Sequence, residues 1–166
     1  MILALDVYYR GDSATAIGVV FDWTDDKPRQ VISAALTSVA GYIPGQFYKR
    51  ELPCLLGITA QVDLGQIKAI IIDGYVYVDN ALSPGLGAYL YEALGSRIPV
   101  IGAAKTAFCQ NQETVTPVCR GASQSPLYVS AIGMEMEQAA LHITEMQGKF
   151  RMPTILRELD RLTRVV

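Results

Sequence analysis

Lys68-Ala69-Ile70-Ile71-Ile72-Asp73-Gly74 is the stretch on which the fold turns. Ala69 to Ile72 run apolar without a break, and three of the four are β-branched. That is the composition of a strand covered on both faces, as inside a parallel sheet. The run stops on Asp73, then Gly74. A carboxylate at the C-terminal lip of a buried strand is costly unless it is paired or bound to a cation. In open α/β sheets that lip is also where ligands sit. Ile2-Leu3-Ala4-Leu5-Asp6-Val7-Tyr8 offers a second such acid. Asp6 and Asp73 are therefore expected side by side on neighbouring strands, holding a divalent metal.

Upstream of this stretch, residues 2–9, 14–23 and 29–38 read as three strands. Short polar turns at Arg10-Gly11-Asp12-Ser13 and Asp25-Asp26-Lys27-Pro28 join them into an antiparallel meander. Gly41-Tyr42-Ile43-Pro44-Gly45 reads as a loop. A helix is expected from Gln46 to about Val62, with Tyr48, Leu52, Leu55, Leu56 and Thr59 at helical spacings. Pro53 leaves its start open. Downstream, a helix over about 85–96 leads to a short buried strand at 99–103. Residues 104–125 are irregular, with a hairpin near Thr114–Arg120. Residues 126–130 form a last strand, and helices follow over 134–147 and 153–165, the second with Pro153 at its first position. The order predicts a mixed five- to six-stranded α/β sheet, an antiparallel meander then parallel strands, with helices on both faces. In the ribonuclease H-like arrangement favoured here, the first strand lies beside the strand ending at Asp73.

The chain's 166 residues suit a single domain over 1–166. A hydrophobic share of 51% against 18% charged residues argues for a well-buried core and against disorder. The net charge of −2 means that any nucleic-acid surface must be a local basic patch. Cys54, Cys109 and Cys119 are an odd set without metal-ligand spacing, as expected of free thiols in a reducing, cytoplasmic compartment. The N-terminus does not read as a signal peptide, and no apolar run reaches the ~18 residues a membrane span needs.

A third acid, Glu51, follows Arg50 at the opening of the first expected helix and can turn toward the lip that carries Asp6 and Asp73. Three hard oxygen donors from three elements suit Mg²⁺ or Mn²⁺, and such a site can activate water and neutralise charge on a phosphate. Equally, Glu51 can be an acid favoured by the helix dipole, and Asp73 a turn cap. Lys105, just past the strand at 99–103, either reaches the same lip to hold a water or a phosphate or is an ordinary surface lysine.

At these residues the sequence resembles the endonuclease V family, metal-dependent nucleases acting on deaminated purines in nucleic acid. The likeness is most specific at Tyr42-Ile43-Pro44-Gly45, followed after four residues by Arg50-Glu51 and Pro53. Leu5-Asp6-Val7-x-Tyr9 and Ile72-Asp73-Gly74 look like the family's two aspartate motifs. Ile101-Gly102-Ala103-Ala104-Lys105 is similar to its lysine motif, and Ser125 to Ser130 resembles its last strand. The resemblance implies that Asp6, Glu51 and Asp73 hold the metal and that Lys105 assists catalysis. It also implies that Tyr42, Ile43 and Pro44 form a wedge between nucleic-acid strands. Arg50 and Gly74 are expected to face the nucleic acid, DNA or RNA.

Departures from the family pattern accompany the likeness. Val76 stands where a second glycine is expected, and Asp79-Asn80-Ala81 replaces a His-Pro-Arg segment. The glycines let a flipped base sit against backbone, so Val76 is expected to crowd a hypoxanthine pocket. After the last strand, Ala131-Ile132-Gly133-Met134-Glu135 replaces a Gly-His-Arg step. Either Glu135 or Glu137 supplies a fourth carboxylate, or both are solvated helix acids. The family's leading helix is expected to be missing, because the chain starts at the first strand. These departures leave a nuclease with a different substrate, or a binding relative without catalysis, as alternatives. His142, the only histidine, reads as a partly buried helix residue. Lys49, Arg50, Lys105 and Arg120 are candidates for the positive patch.

Overall fold

The computed structural model describes residues 1–37, 41, 43–44 and 46–165. One seven-stranded sheet organises them, in the order β3-β2-β1-β4-β5-β7-β6. β1 (Ile2–Arg10), β2 (Ser13–Phe21) and β3 (Gln30–Leu36) form the expected antiparallel meander. β4 (Ala69–Ile72) is fully buried and lies parallel to β1 on one side and to β5 (Val100–Ala104) on the other. The unbroken β-branched run thus sits at the centre of the sheet, where both faces are covered.

Two corrections concern the far edge. β7 (Leu127–Ile132) runs antiparallel to β5, and β6 (Thr116–Val118) adds a seventh strand beside it. The expected sheet was one or two strands smaller and parallel after the meander. β6 spans only three residues, with Pro117 in the middle, a residue tolerated on an edge that has no outer ladder to feed. So short a segment carries no alternation from which a strand can be read.

The two faces hold separate apolar cores. On one, α3 (Met136–Glu145) and α4 (Thr154–Val165) cover Ile2, Ala4, Ile17, Val19, Ile71, Ile101 and Ala103. On the other, α1 (Phe47–Thr59) and α2 (Leu86–Ala93) cover Leu3, Leu5, Ala16, Ile70, Ile72 and Val100. Alternate residues of each central strand serve alternate faces, as the two-residue period requires. α1 keeps Pro53 in its interior and presents Cys54, Leu55 and Ile58 to the sheet. It comes close because Gly18 on β2 has no side chain; a Cβ there would stand 2.5 Å from Ile58 Cγ2. His142 stacks flat on Trp23, ring centroids 4.3 Å apart, which is the packing role expected of it.

The turn after β4 is set by two glycines. Gly74 has φ +146°, a conformation that side chains disfavour. Its carbonyl folds back over Gly102 of β5, where a Cβ would collide with it and stand 2.6 Å from Ser130 Oγ. The bare Gly102 therefore fixes the path of the backbone that leaves Asp73. Gly102→Ala should cost about 1–3 kcal/mol through this overpacking, which lowers the melting temperature by roughly 2–12 °C. A thermal scan with an unchanged midpoint would contradict this account of the turn.

Candidate active site

The parallel register sets the first two acids. Leu5 pairs with Ile72, so Asp6 and Asp73 are the next residues along two neighbouring strands, roughly 4.8 Å apart in the sheet. β4 ends there, whereas β1 and β2 continue past the lip as a hairpin. Both acids follow the alternation of Ala4 and Ile71 and face the layer of α4. Asp6 Oδ1 accepts from the Val7 amide at 2.9 Å, and Asp6 Oδ2 accepts from Thr163 Oγ1 of α4 at 3.4 Å.

Lys105 joins them from β5. Ile72 pairs with Gly102, which sets Ala103 level with Asp73. Lys105 lies two residues on, in phase with Ala103. Its Nζ stands 3.4 Å from Asp73 Oδ2 and 3.9 Å from Asp160 Oδ1. These are half-exposed pairs, so their value lies in placement more than in stability. Glu51 approaches from the opposite layer. It lies one turn into α1, whose first turn holds no acid, so it is not a helix-start residue. It shares with Asp6 and Asp73 a crevice of about 10 Å³, closed by Leu5, Leu55 and Ile72.

The electrostatics report this crowding. Burial, then the charge of Asp73, raises the Asp6 carboxyl to about 6, despite the Val7 amide and Lys105. Burial, then Asp73 and Asp6, raises Glu51 to about 7. The acids are thus close enough to disfavour one another's charge. They are not gathered on one point, however. Among the described residues no three His, Cys, Asp or Glu side chains stand in position to grip one ion. Asp73 is turned to Lys105, and Asp6 is held by Val7 and Thr163. Hard oxygen donors from separate elements, two of them pushed toward neutrality, are still the donor set that a small divalent cation satisfies. By that test the residues fit.

Asp160 is the acid that the sequence reading missed. It lies on α4, raises Asp6 by its charge, accepts from Arg164 Nη2 at 3.2 Å and faces Lys105. The available signal was an acid interrupting an apolar helical stripe, Leu156, Asp160 and Thr163 at i, i+4 and i+7. Of the two readings of Glu135 and Glu137, a fourth carboxylate or solvated helix acids, the structure favours the second: both are exposed. β7 runs antiparallel, with Ile132 opposite Val100 at the start of β5. The residues after β7 therefore emerge at the far end of the sheet from Asp73.

The expected nucleic-acid contacts divide. Tyr42 lies outside the described residues, while Ile43 and Pro44 are exposed on the loop before α1. Gly74 has open space on its Cβ side. Arg50 lies 3.7 Å over the ring of Tyr9, with its Nε buried, so it is largely a packing residue. Arg120 is buried and donates to the carbonyls of Met146, Gly148 and Phe150, which removes it from the proposed surface patch. Val76 is fully buried against Gly87 of α2, so it does not wall an open cleft.

The sequence model of endonuclease V matches residues 1–161. The chain belongs to the endonuclease V family. That match runs through every element that carries an acid, from β1 to Asp160 of α4, and it makes the protein an endonuclease by family. The fold agrees with solved endonuclease V structures. Human endonuclease V superimposes with a TM-score of 0.79 at 21% identity, covering 98% of this chain and 82% of that one. Endonuclease V of Ciona intestinalis, bound to a 23mer DNA containing an inosine followed by a ribo-adenosine, gives 0.81 at 16% identity, covering 98% and 83%. The Bacillus subtilis enzyme gives 0.76 at 16%, covering 99% and 78%. No curated protein matches the chain in sequence. No helix among the described residues is long and apolar enough to cross a membrane.

The raised acids predict an unusual pH profile. Asp6 and Glu51 bind protons more tightly folded than unfolded, so the stability they contribute is present below about pH 4. It is lost as the pH rises through about 6 to 7. In chelator, the melting temperature should fall by roughly 5 °C between pH 5 and pH 8. Asp73→Asn should flatten that fall, and Mg²⁺ should raise the midpoint more at pH 8 than at pH 5. A chelated protein equally stable at both pH values would contradict the coupling of these acids.

Proposed function

We propose that the protein is a divalent-metal-dependent endonuclease. It hydrolyses a phosphodiester beside a deaminated, inosine-type or otherwise abnormal base in a DNA or RNA strand. One observation carries the proposal: the Leu5–Ile72 register that aligns Asp6 with Asp73, with Glu51 entering the same crevice from the opposite layer. The inosine-bearing DNA on the Ciona relative supports the choice of substrate.

In this reading Asp6, Glu51 and Asp73 hold Mg²⁺ or Mn²⁺, with Asp160 beside them, facing Lys105. When bound, the ion supplies Lewis-acid stabilisation of the phosphate and a water of lowered pKa. The chain does the rest. Lys105 Nζ, steered by Asp73 and Asp160, presents its charge to a phosphate oxygen where negative charge develops. Thr163 and the Val7 amide fix the Asp6 carboxylate. Ile43 and Pro44 form the exposed part of the loop that meets the nucleic acid, and Gly74 leaves space at the lip. One sheet uniting all seven strands supports a single nuclease domain over 1–166. Three free thiols suit a reducing, cytoplasmic compartment. The buried state of Val76 favours a second reading of the substrate, an unmodified single strand or flap.

Labelled strands, single and double, DNA and RNA, with and without inosine, test the proposal in Mg²⁺ or Mn²⁺. The parent protein should cut, and Asp6→Asn or Asp73→Asn should lower the rate by about 10²–10³ or more. Asp160→Asn should cost about 10–100-fold by disturbing its neighbours, while Glu135→Gln should leave the rate unchanged. No cutting of any strand, or equal cutting by Asp73→Asn, would refute the nuclease assignment.

A further inference from the structure

Resting on the nuclease reading above and on its second substrate, an unmodified single strand, we propose that Tyr75 and Phe108 form a stacking platform for one unpaired nucleobase of the substrate strand. It lies beside the acids, and the enzyme thereby selects an unpaired strand whatever the base.

The platform is built by the two loops that leave the active-site strands. Tyr75 follows Asp73 by two residues, and Phe108 follows Lys105 by three. Their ring centroids lie 5.9 Å apart at 36°. The Tyr75 hydroxyl donates to the Thr106 carbonyl, which pins its ring against the lysine loop. Buried Asn111 ties the loops again: its amide N–H donates to the Phe108 carbonyl at 3.2 Å, and its Nδ2 donates to the Tyr77 carbonyl at 2.9 Å. Phe108 nevertheless stays 39% exposed, and neither ring belongs to either apolar core. A large aromatic held at the lip, outside the core and partly exposed, offers surface to a partner. The backbone beside it, at Gly74, borders open space.

The same segment turns much of its hydrogen-bonding capacity inward. The Val76 amide donates to Ser130 Oγ at 3.1 Å. The Val76 carbonyl accepts from Gly85 at 2.8 Å, the Tyr75 carbonyl from Gly87 at 3.1 Å, and the Tyr77 carbonyl from Asn111. Four backbone groups that could recognise a Watson–Crick edge are thus already paired within the protein. The Val76 side chain is sealed in the core, where even a Cβ on Gly87 would stand 2.9 Å from Val76 Cγ2. A base cannot enter here without unpacking α2. Every base has a π-face, so a platform of two rings binds all of them.

The test combines binding and cleavage with the whole chain. Single strands carrying inosine, guanine, adenine or an abasic residue at the position nearest the cut are compared, with 2-aminopurine as a stacking probe. Binding is read in Ca²⁺, and cleavage in Mg²⁺ or Mn²⁺. The three bases should be bound and cut within about threefold of one another. Phe108→Ala should weaken all three by about 5- to 100-fold, abolish the change in 2-aminopurine fluorescence, and leave the melting temperature unchanged. Phe108→Trp should restore binding. The abasic strand should bind the parent as weakly as the normal strand binds Phe108→Ala, with no further loss on combining the two. A preference of 100-fold or more for inosine, or unaltered binding by Phe108→Ala, would overturn the platform. Failure to cut any strand would overturn the nuclease reading instead, and the Ca²⁺ binding arm would still decide the platform.

Discussion

The parallel pairing of β1 with β4 is the constraint from which the site follows. It is a backbone ladder, indifferent to side chains, and its Leu5–Ile72 register sets two carboxylates at adjacent positions. A slip of one residue would turn either Asp6 or Asp73 to the other face of the sheet and break the site. The register is held by burial, because Ile2 to Leu5 and Ala69 to Ile72 serve both cores and cannot shift without exposing one of them. Apolar packing thus holds like charges together, a placement that the charges themselves oppose.

The remaining parts reach the lip from both layers. α1 brings Glu51 from one face and can approach because Gly18 leaves room for Ile58. α4 brings Asp160 and Thr163 from the other. Lys105 sits between Asp73 and Asp160 and offsets part of the negative charge. In this arrangement the site is strained electrostatically and stable mechanically. The raised Asp6 and Glu51 carboxyls express that conflict, which a bound cation would relieve.

In the proposed reading, the loop after Asp73 lets one fold keep its hydrolytic residues while changing what it recognises. Gly74 and bare Gly102 let the chain double back over β5. Beyond them, Val76 closes the interior, and Tyr75 with Phe108 occupies the rim. Chemistry is set by the strand ends and selection by the loops, so the second can change without disturbing the first.

The amino-acid order alone determined the central strand, the meander and the α1 segment, and it singled out Asp6, Glu51, Asp73 and Lys105 as candidates for one lip of the sheet. Those features are local: an unbroken β-branched run, alternation, helical spacing, and short motifs that resemble a family. It also raised Val76 as a departure, though as the wall of a pocket, whereas the side chain is core. Three things were settled only by the assembled structure. The direction of β7 decides that Glu135 and Glu137 emerge at the wrong end. The docking of α4 brings in Asp160, 154 residues from Asp6 along the chain. The folding of two loops together makes Tyr75 and Phe108 neighbours. Each depends on which surfaces pack together across long separations, and no periodicity within a single segment encodes that.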